Sequence, residues 1–465
     1  MKESNIRRTL FGTAGLSHFV RGHRALLAAS TVGLVAIASH AQAQTHSHLC
    51  GCAGCAGSSS ATEGSDSNVE FFRVSDRWSA NRNAAGFTGS RGDAITLTYG
   101  VVPDGTSIGG TAVSGENAAD TSNLIAFLNA NIGTSSVWLP LIDDAYQRWG
   151  EISGLTMVRE NNDDGVTMGA GGSFGVNGVR ADMRIGGRFL DGQSGSNVLA
   201  YNYFPDNGDH VVDTGNTNFY SNSTNNYRGF RNVFMHEAGH GLGFSHFESN
   251  NSNGLMEPSI NSSFDGPQHD DILAAQRNYG DAWEKNGGND STGTATSMGT
   301  FTGAAQTSSI GTDASDSTVL VGANDVDFIS IDGTSDIDVF SFTLSGGAGF
   351  NVSLLLDPKG PTYNEGAQNQ SQTALNTKAL VDLELELLDS GGSVLLAADA
   401  NGTGLGETIS TVLAAGDYYA RVSSANGAAD NVQMYQLDIS AEFVPEPSSL
   451  ALIGLGGLLL ARRRR

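Results

Sequence analysis

The chain has 465 residues, 61 of them glycine, and a formal net charge of -24; that length holds two ordinary domains beside processing segments and a core that needs no disulfide scaffold. So acidic a surface repels phosphate backbones and anionic lipid, which argues against nucleic-acid binding and suits an extracellular protein that meets hard cations. The three cysteines fall together as Cys50, Cys52 and Cys55, outside both presumed domains.

In chain order, residues 1–43 read as a secretion signal: Arg21 and Arg24 precede an apolar run over 25–38, and Ala41-Gln42-Ala43 fits a small-x-small cleavage site. Residues 44–68, Gly- and Ser-rich and carrying the cysteines, read as a pro-segment or linker. A mixed α and β domain is expected over 69–283. Within it 94–102 (AITLTYGVV) alternates as a strand does. Residues 137–149 set Trp138, Leu141, Ile142, Ala145 and Trp149 on one helical face, with Pro140 in the first turn. Further strands are expected at 155–159 and 181–185. The glycine-dense 165–178 and the Asn/Asp/Gly/Ser-rich 206–226 read as loops, and 230–242 returns to helix.

Residues 236–246 read HEAGHGLGFSH. On a helix His236 and His240 stand one turn apart on the same face, so both imidazoles can reach one metal ion. Glu237 lies beside them, placed as a general base toward water. Gly243 permits a sharp reversal that returns His246 as a third ligand. Three neutral histidines leave a zinc position open, as a catalytic site requires.

HEAGHGLGFSH is the pattern H-E-x-x-H-x-x-G-x-x-H, and it resembles the metzincins, most closely the matrixins. Residues 253–258 (NGLMEP) resemble that family's Met-turn, which implies that Met256 packs beneath the metal without ligating it. Asp270-Asp271-Ile272 and Tyr279-Gly280 resemble the start and end of the terminal matrixin helix. Upstream, AITLTYGVV, AYQRWGEISGLTM and LDGQSGSNVLAYNYFP resemble the first strand, the first helix with its turn, and the calcium loop with the edge strand. The resemblance implies a twisted mixed sheet with long helices, and a substrate chain pairing alongside Leu199 and Ala200.

The departures are specific. Tyr201 stands where a histidine of the family's structural zinc would fall, leaving only His210. Asp191 and Asp213 are candidate calcium ligands, with plain loop solvation as the alternative. Matrixin zymogens block the zinc with a pro-segment thiolate, so Cys50, Cys52 and Cys55 are candidate zinc blockers. A small metal site with His46 and His48, or a disulfide, are the alternatives.

Residues 284–317 read as a linker and the start of a second domain, and 318–443 as an all-β sandwich of short strands with glycine turns. Asp336 to Phe342 (DIDVFSF), GDYYARV and YQLDIS resemble the bacterial pre-peptidase C-terminal domain, which implies an accessory role. Asp325, Asp327, Asp336 and Asp338 are either calcium ligands or solvated turn carboxylates. Residues 444–465 join Pro445-Glu446-Pro447, the apolar run 450–461 and Arg462 to Arg465. They resemble the PEP-CTERM sorting tail of Gram-negative bacteria. That implies a transient membrane anchor, handling by sorting machinery and release to the cell surface or matrix.

The expectation is thus an α+β metzincin-type domain followed by a β-sandwich, in a secreted zinc-dependent endopeptidase of extracellular proteins. Its rival is a non-catalytic surface or matrix adhesion protein that retains the zinc site.

Overall fold

A computed structural model of the protein describes residues 49–51, 74, 76–78, 83–86, 89–194, 197–333, 335–347, 349–425 and 431–444. The expected secretion signal, Cys52, Cys55 and the apolar tail lie outside the described residues. The first part of the chain runs β1 (Leu49–Gly51), β2 (Ile95–Val101), β3 (Ile108–Gly109), α1 (Leu124–Asn131), α2 (Ser135–Glu151), β4 (Leu155–Arg159), β5 (Met168–Gly169), β6 (Met183–Arg188), β7 (Ala200–Tyr203), β8 (His210–Asp213), α3 (Thr217–Tyr220), α4 (Thr224–Gly241), β9 (Phe247–Ser249) and α5 (His269–Tyr279).

Its main sheet has the order β1-β7-β8-β6-β2-β4. Strands β4, β2, β6 and β8 are parallel, and β7 turns antiparallel beside β8. Strand β2 lies between β6 and β4, with Leu97 and Tyr99 wholly buried on either side of a threonine. The apolar face expected on α2 is buried in full: Trp138, Leu141, Ile142, Ala145 and Trp149. This helix starts at Ser135, two residues before its predicted start, so Pro140 falls in its second turn.

Helix α4 opens with three residues in the left-handed region, Asn225 to Tyr227, before its regular turns begin. Phe230, Val233, Phe234 and Ala238 form its buried stripe, with the Phe230 and Phe234 rings stacked at 4.2 Å. The Trp149 indole Nε1 donates to the Met235 carbonyl at 3.0 Å and so fastens α2 to α4 one residue before His236.

Residues 206–226, expected as a loop, contain the strand β8 and the short α3. The apolar signal for β8 itself is only Val211-Val212, yet a strand buried on both faces needs no polar alternation.

The second part comprises β10 (Thr296–Phe301), β11 (Gln306–Ile310), β12 (Ile329–Ile331), β13 (Ile337–Leu344), β14 (Phe350–Pro358), β15 (Thr362–Ala367), β16 (Thr373–Asn376), β17 (Leu383–Leu388), β18 (Val394–Ala398), β19 (Glu407–Leu413), β20 (Gly416–Ser424) and β21 (Gln433–Phe443). One sheet has the order β10-β13-β20-β17-β18 and the other β11-β21-β14-β19, with β12 also on β21. Along β14 the buried residues Phe350, Val352, Leu354 and Leu356 alternate with more open ones, the period-two signature of a sandwich wall. Strands β10 and β11 lie within 284–317, the segment expected as a linker and the start of the second domain, where Met298, Phe301 and Ile310 supply their buried side chains.

The two parts share a core. Phe328, Val432 and Met434 of the second join the buried cluster formed by α2, α4 and α5. Gln276 on α5 donates to the Phe328 carbonyl at 2.8 Å, and Arg148 on α2 donates to the Asp325 carbonyl at 2.8 Å. Strands β15 and β16 leave the sandwich to form a three-stranded sheet with β9 of the first part.

Candidate metal centre

The C-terminal end of α4 is held from outside the helix. Its last carbonyls would otherwise be orphaned, but Trp78 Nε1 donates to Gly241 at 2.7 Å and the Tyr279 hydroxyl to Leu242 at 2.8 Å. Gly243 then reverses the chain at φ 100°. A Cβ there would stand 1.9 Å from the Asp76 carbonyl, so both the conformation and the space require glycine.

That reversal brings the three histidines together. The Nε2 atoms of His236, His240 and His246 stand 3.1, 3.1 and 3.2 Å apart, pair by pair. Each Nδ1 faces an oxygen: His236 the Leu255 carbonyl at 2.6 Å, His240 the Phe244 carbonyl at 2.7 Å, and His246 the Gln368 Oε1 at 3.1 Å. A carbonyl oxygen only accepts, so each Nδ1 carries the proton and each Nε2 turns a lone pair inward. Burial pushes His236 down to about 3 and His246 to about 4, and lowers His240 well below the usual imidazole range, so all three are neutral. Three inward lone pairs this close repel one another unless a cation stands between them. A tetrahedral zinc with nitrogens at about 2.0–2.1 Å sets them about 3.3 Å apart, which fits.

Glu237 is fully buried on the same helix, near enough to the Tyr146 hydroxyl for its charge to help raise that group well above its ordinary range, after burial. Met256 lies beneath the site: a Cβ on Gly239 would meet its Sδ at 2.4 Å, so helix and methionine touch only because residue 239 is glycine. Asp271 holds the turn that carries Met256. Its carboxylate accepts from the backbone N–H groups of Leu255 at 2.7 Å, Met256 at 3.0 Å and Gln268 at 2.8 Å.

The remaining expected residues are placed differently. Asp213 accepts four N–H groups, from Leu190, Gly192, Gly215 and Asn216, and Asp191 accepts from Val198. Their oxygens thus fasten a loop, and neither residue joins a cluster of three or more His, Cys, Asp or Glu side chains among the described residues. His210 likewise joins no such cluster. Burial lowers it to about 3, and its ring packs against Phe234 at 4.8 Å. At Tyr201, where a histidine of a structural zinc would fall, the hydroxyl donates to Glu116 at 2.9 Å and Arg188 pairs with the same carboxylate at 2.7 Å, the Arg188 and Glu116 side chains both buried. Cys50 lies in β1, its backbone opposite Asn202 on β7.

A second cluster escaped the sequence reading in part. Glu284, Asp336 and Asp338 bring carboxylate oxygens within 4.8 Å of one another. Asp338 Oδ1 and both side-chain polar atoms of Asn289 are buried there without a hydrogen-bond partner. Asp325 and Asp327, weighed with them from the sequence, instead accept loop amides of Gly322, Gly311 and Thr312. Gln368 gave no sequence signal at all, since it sits in the polar run GAQNQSQT.

Comparison with known proteins matches three family models: Matrixin over residues 134–280, Bacterial pre-peptidase C-terminal domain over 325–424, and PEP-CTERM protein-sorting motif over 443–465. No curated protein matches the chain. Among solved structures, the pre-peptidase C-terminal domain of a Bacillus anthracis collagenase is similar at 14% identity and TM-score 0.17, covering 31% of this chain and 93% of that one. Aeromonas hydrophila PliG, a periplasmic inhibitor of g-type lysozyme, is similar at 11% identity and TM-score 0.17, covering 32% and 97%. With the histidine motif inside the first match and strands β12 to β20 inside the second, the chain carries a matrixin domain, then a pre-peptidase C-terminal domain, then a PEP-CTERM sorting motif.

Proposed function

We propose that the protein is a secreted zinc-dependent endopeptidase that hydrolyses extracellular proteins, with Glu237 as general base. The observation that carries this reading is the convergence of three neutral, Nδ1-anchored imidazoles beside a buried glutamate on one helix. His236, His240 and His246 would hold the zinc, which supplies Lewis acidity toward a scissile carbonyl and toward water. Glu237 takes the proton of the attacking water and delivers it to the leaving amine, a base turned acid within one cycle. Strand β7, at the end of the sheet away from β4, is the edge along which an extended substrate would pair. In the structure β1 lies on that edge, which supports a pro-segment role for the stretch carrying Cys50. Export by residues 1–43 and retention through 444–465 complete the reading. Glu284, Asp336 and Asp338 are the site we assign to a hard cation such as calcium, because two half-buried carboxylates beside the buried Asp338, whose Oδ1 has no hydrogen-bond partner, match its oxygen preference.

The test is digestion of a casein-type substrate. Glu237→Gln should lower kcat by about 10²–10⁴ while zinc content stays that of the wild type. Full activity in that purified variant refutes the assignment. A zinc-loaded wild type that cleaves nothing supports the adhesion reading instead.

A further inference from the structure

We propose that the β15–β16 hairpin of the second domain completes the metal centre, with Gln368 as the positioning residue for His246; the inference rests on the zinc-peptidase reading above. His236 and His240 ride on α4, and their Nδ1 partners are backbone carbonyls of the first domain. His246 has no helix beneath it. It lies beyond the Gly243 reversal, and the residue after it opens β9.

Strand β15 pairs antiparallel with β9, setting Glu365 opposite Ser249, Gly366 opposite Glu248 and Ala367 opposite Phe247. One more step in that register sets Gln368 opposite His246, and there its Oε1 stands 3.1 Å from Nδ1. The register is fixed on both sides. Asn250 N–H donates to the Asn364 carbonyl at 3.0 Å, and the Tyr363 hydroxyl donates to Asp270 at 2.7 Å in a buried contact. On the first-domain side, Glu257 accepts from the Ser249 amide at 2.9 Å and its hydroxyl at 2.6 Å, which pins β9 itself.

An acceptor on Nδ1 does three things for a ligating imidazole. It fixes the tautomer, orients the ring and makes Nε2 more basic. For the first two ligands the first domain supplies that acceptor. For the third it comes from a residue 122 positions away in sequence, in the other domain. The pre-peptidase C-terminal domain is therefore part of the peptidase centre and not a detachable appendage.

The experiment uses the full chain and compares wild type with Gln368→Ala, Gln368→Glu and Gln370→Ala. Zinc dissociation constants are measured by competition with a chromophoric chelator, and the absorption spectrum of the cobalt-substituted site is recorded for each. Gln368→Ala should bind zinc about 10–100-fold more weakly and shift the cobalt bands. Gln368→Glu keeps an oxygen acceptor at the same reach and should restore both. Gln370→Ala, whose exposed side chain lies in the same turn, should match wild type. Equal zinc affinity and an unchanged cobalt spectrum in Gln368→Ala, beside a His246→Ala control that loses the metal, overturn the proposal. Equal weakening in Gln370→Ala also overturns it, since general disturbance of the hairpin would then be the cause. A wild type that binds no zinc sinks the peptidase reading along with the proposal.

Discussion

Replacing Asp271 should be felt at His236, although the two residues are joined only through a stretch of backbone. The Asp271 carboxylate accepts three amide N–H groups, those of Leu255, Met256 and Gln268, and it is fully buried. The Leu255 carbonyl in turn accepts the Nδ1 proton of His236 at 2.6 Å. Asp271→Asn keeps the volume but replaces one acceptor oxygen with a two-proton donor, which must then face at least one of those amides. One bond is lost outright, its amide is left buried without a partner, and above pH 7, since burial raises the Asp271 carboxyl to about 7, the surviving bonds also lose their charge assistance. With about 1.5–3 kcal/mol for a bond to a charged group and 1–3 kcal/mol for an unsatisfied buried amide, a net loss of about 3 kcal/mol is expected. That corresponds to roughly 6–12 °C in Tm at about 2–4 °C per kcal/mol for a domain of this size. Zinc affinity should fall about tenfold or more, because the acceptor that orients His236 loses its anchor. Circular dichroism melts and chelator competition read the two effects. A variant that melts within a degree or two of wild type and binds zinc as tightly would refute the claim that Asp271 holds the first ligand through the Met256 turn.

The acidic cluster gives a pH prediction. Burial, reinforced by neighbouring carboxylates, pushes Asp281 and Asp336 up to about 7 and Glu284 up to about 9. Folded values above the unfolded ones mean that this contribution is present in full below about pH 4 and is lost as pH rises through 7 toward 9. A bound divalent cation reverses the penalty, so calcium should raise Tm clearly at pH 8 and little at pH 5; indistinguishable melts at pH 8 with calcium and with chelator would remove the site. The Arg188–Glu116–Tyr201 network gives another. Glu116→Ala leaves a guanidinium buried without its carboxylate and should cost about 3–5 kcal/mol. Denaturant melts in which Glu116→Ala matches wild type would show that the network holds nothing.

Much of the first domain was legible because its signals are local. The apolar stripe of α2 needs only the spacing from Trp138 to Trp149, and the histidine motif encodes helix, reversal and return within a few residues. Strand β8 was missed because its identity depends on both flanking strands burying Val211 and Val212, which no local pattern records. Asp191 and Asp213 invited a cation reading by composition, since loop carboxylates look alike whether they take a metal or backbone amides. The four N–H groups converging on Asp213 become visible only in the fold. Gln368 was illegible for a different reason: its role comes from a strand register between two domains, and the residue type itself is unremarkable in a polar turn.

The three Nδ1 acceptors also bear on how the centre forms. They come from the Met256 turn, from the end of α4 and from the second domain, so no single segment can assemble the site alone. With burial keeping the rings neutral, their inward lone pairs oppose closure until a cation arrives. On the zinc-peptidase reading, metal binding and docking of the hairpin against β9 should be coupled through His246: each favours the geometry the other needs, and by linkage the stabilisation that zinc would give grows as RT ln(1 + [Zn]/Kd). The first strand to loosen in the metal-free protein should be β9, whose Phe247 directly follows the ligand that α4 does not carry. Amide exchange at Glu248 and Ser249, fast without zinc and slowed by it more than exchange along β2, would report that coupling, and equal protection in both states would dissolve it.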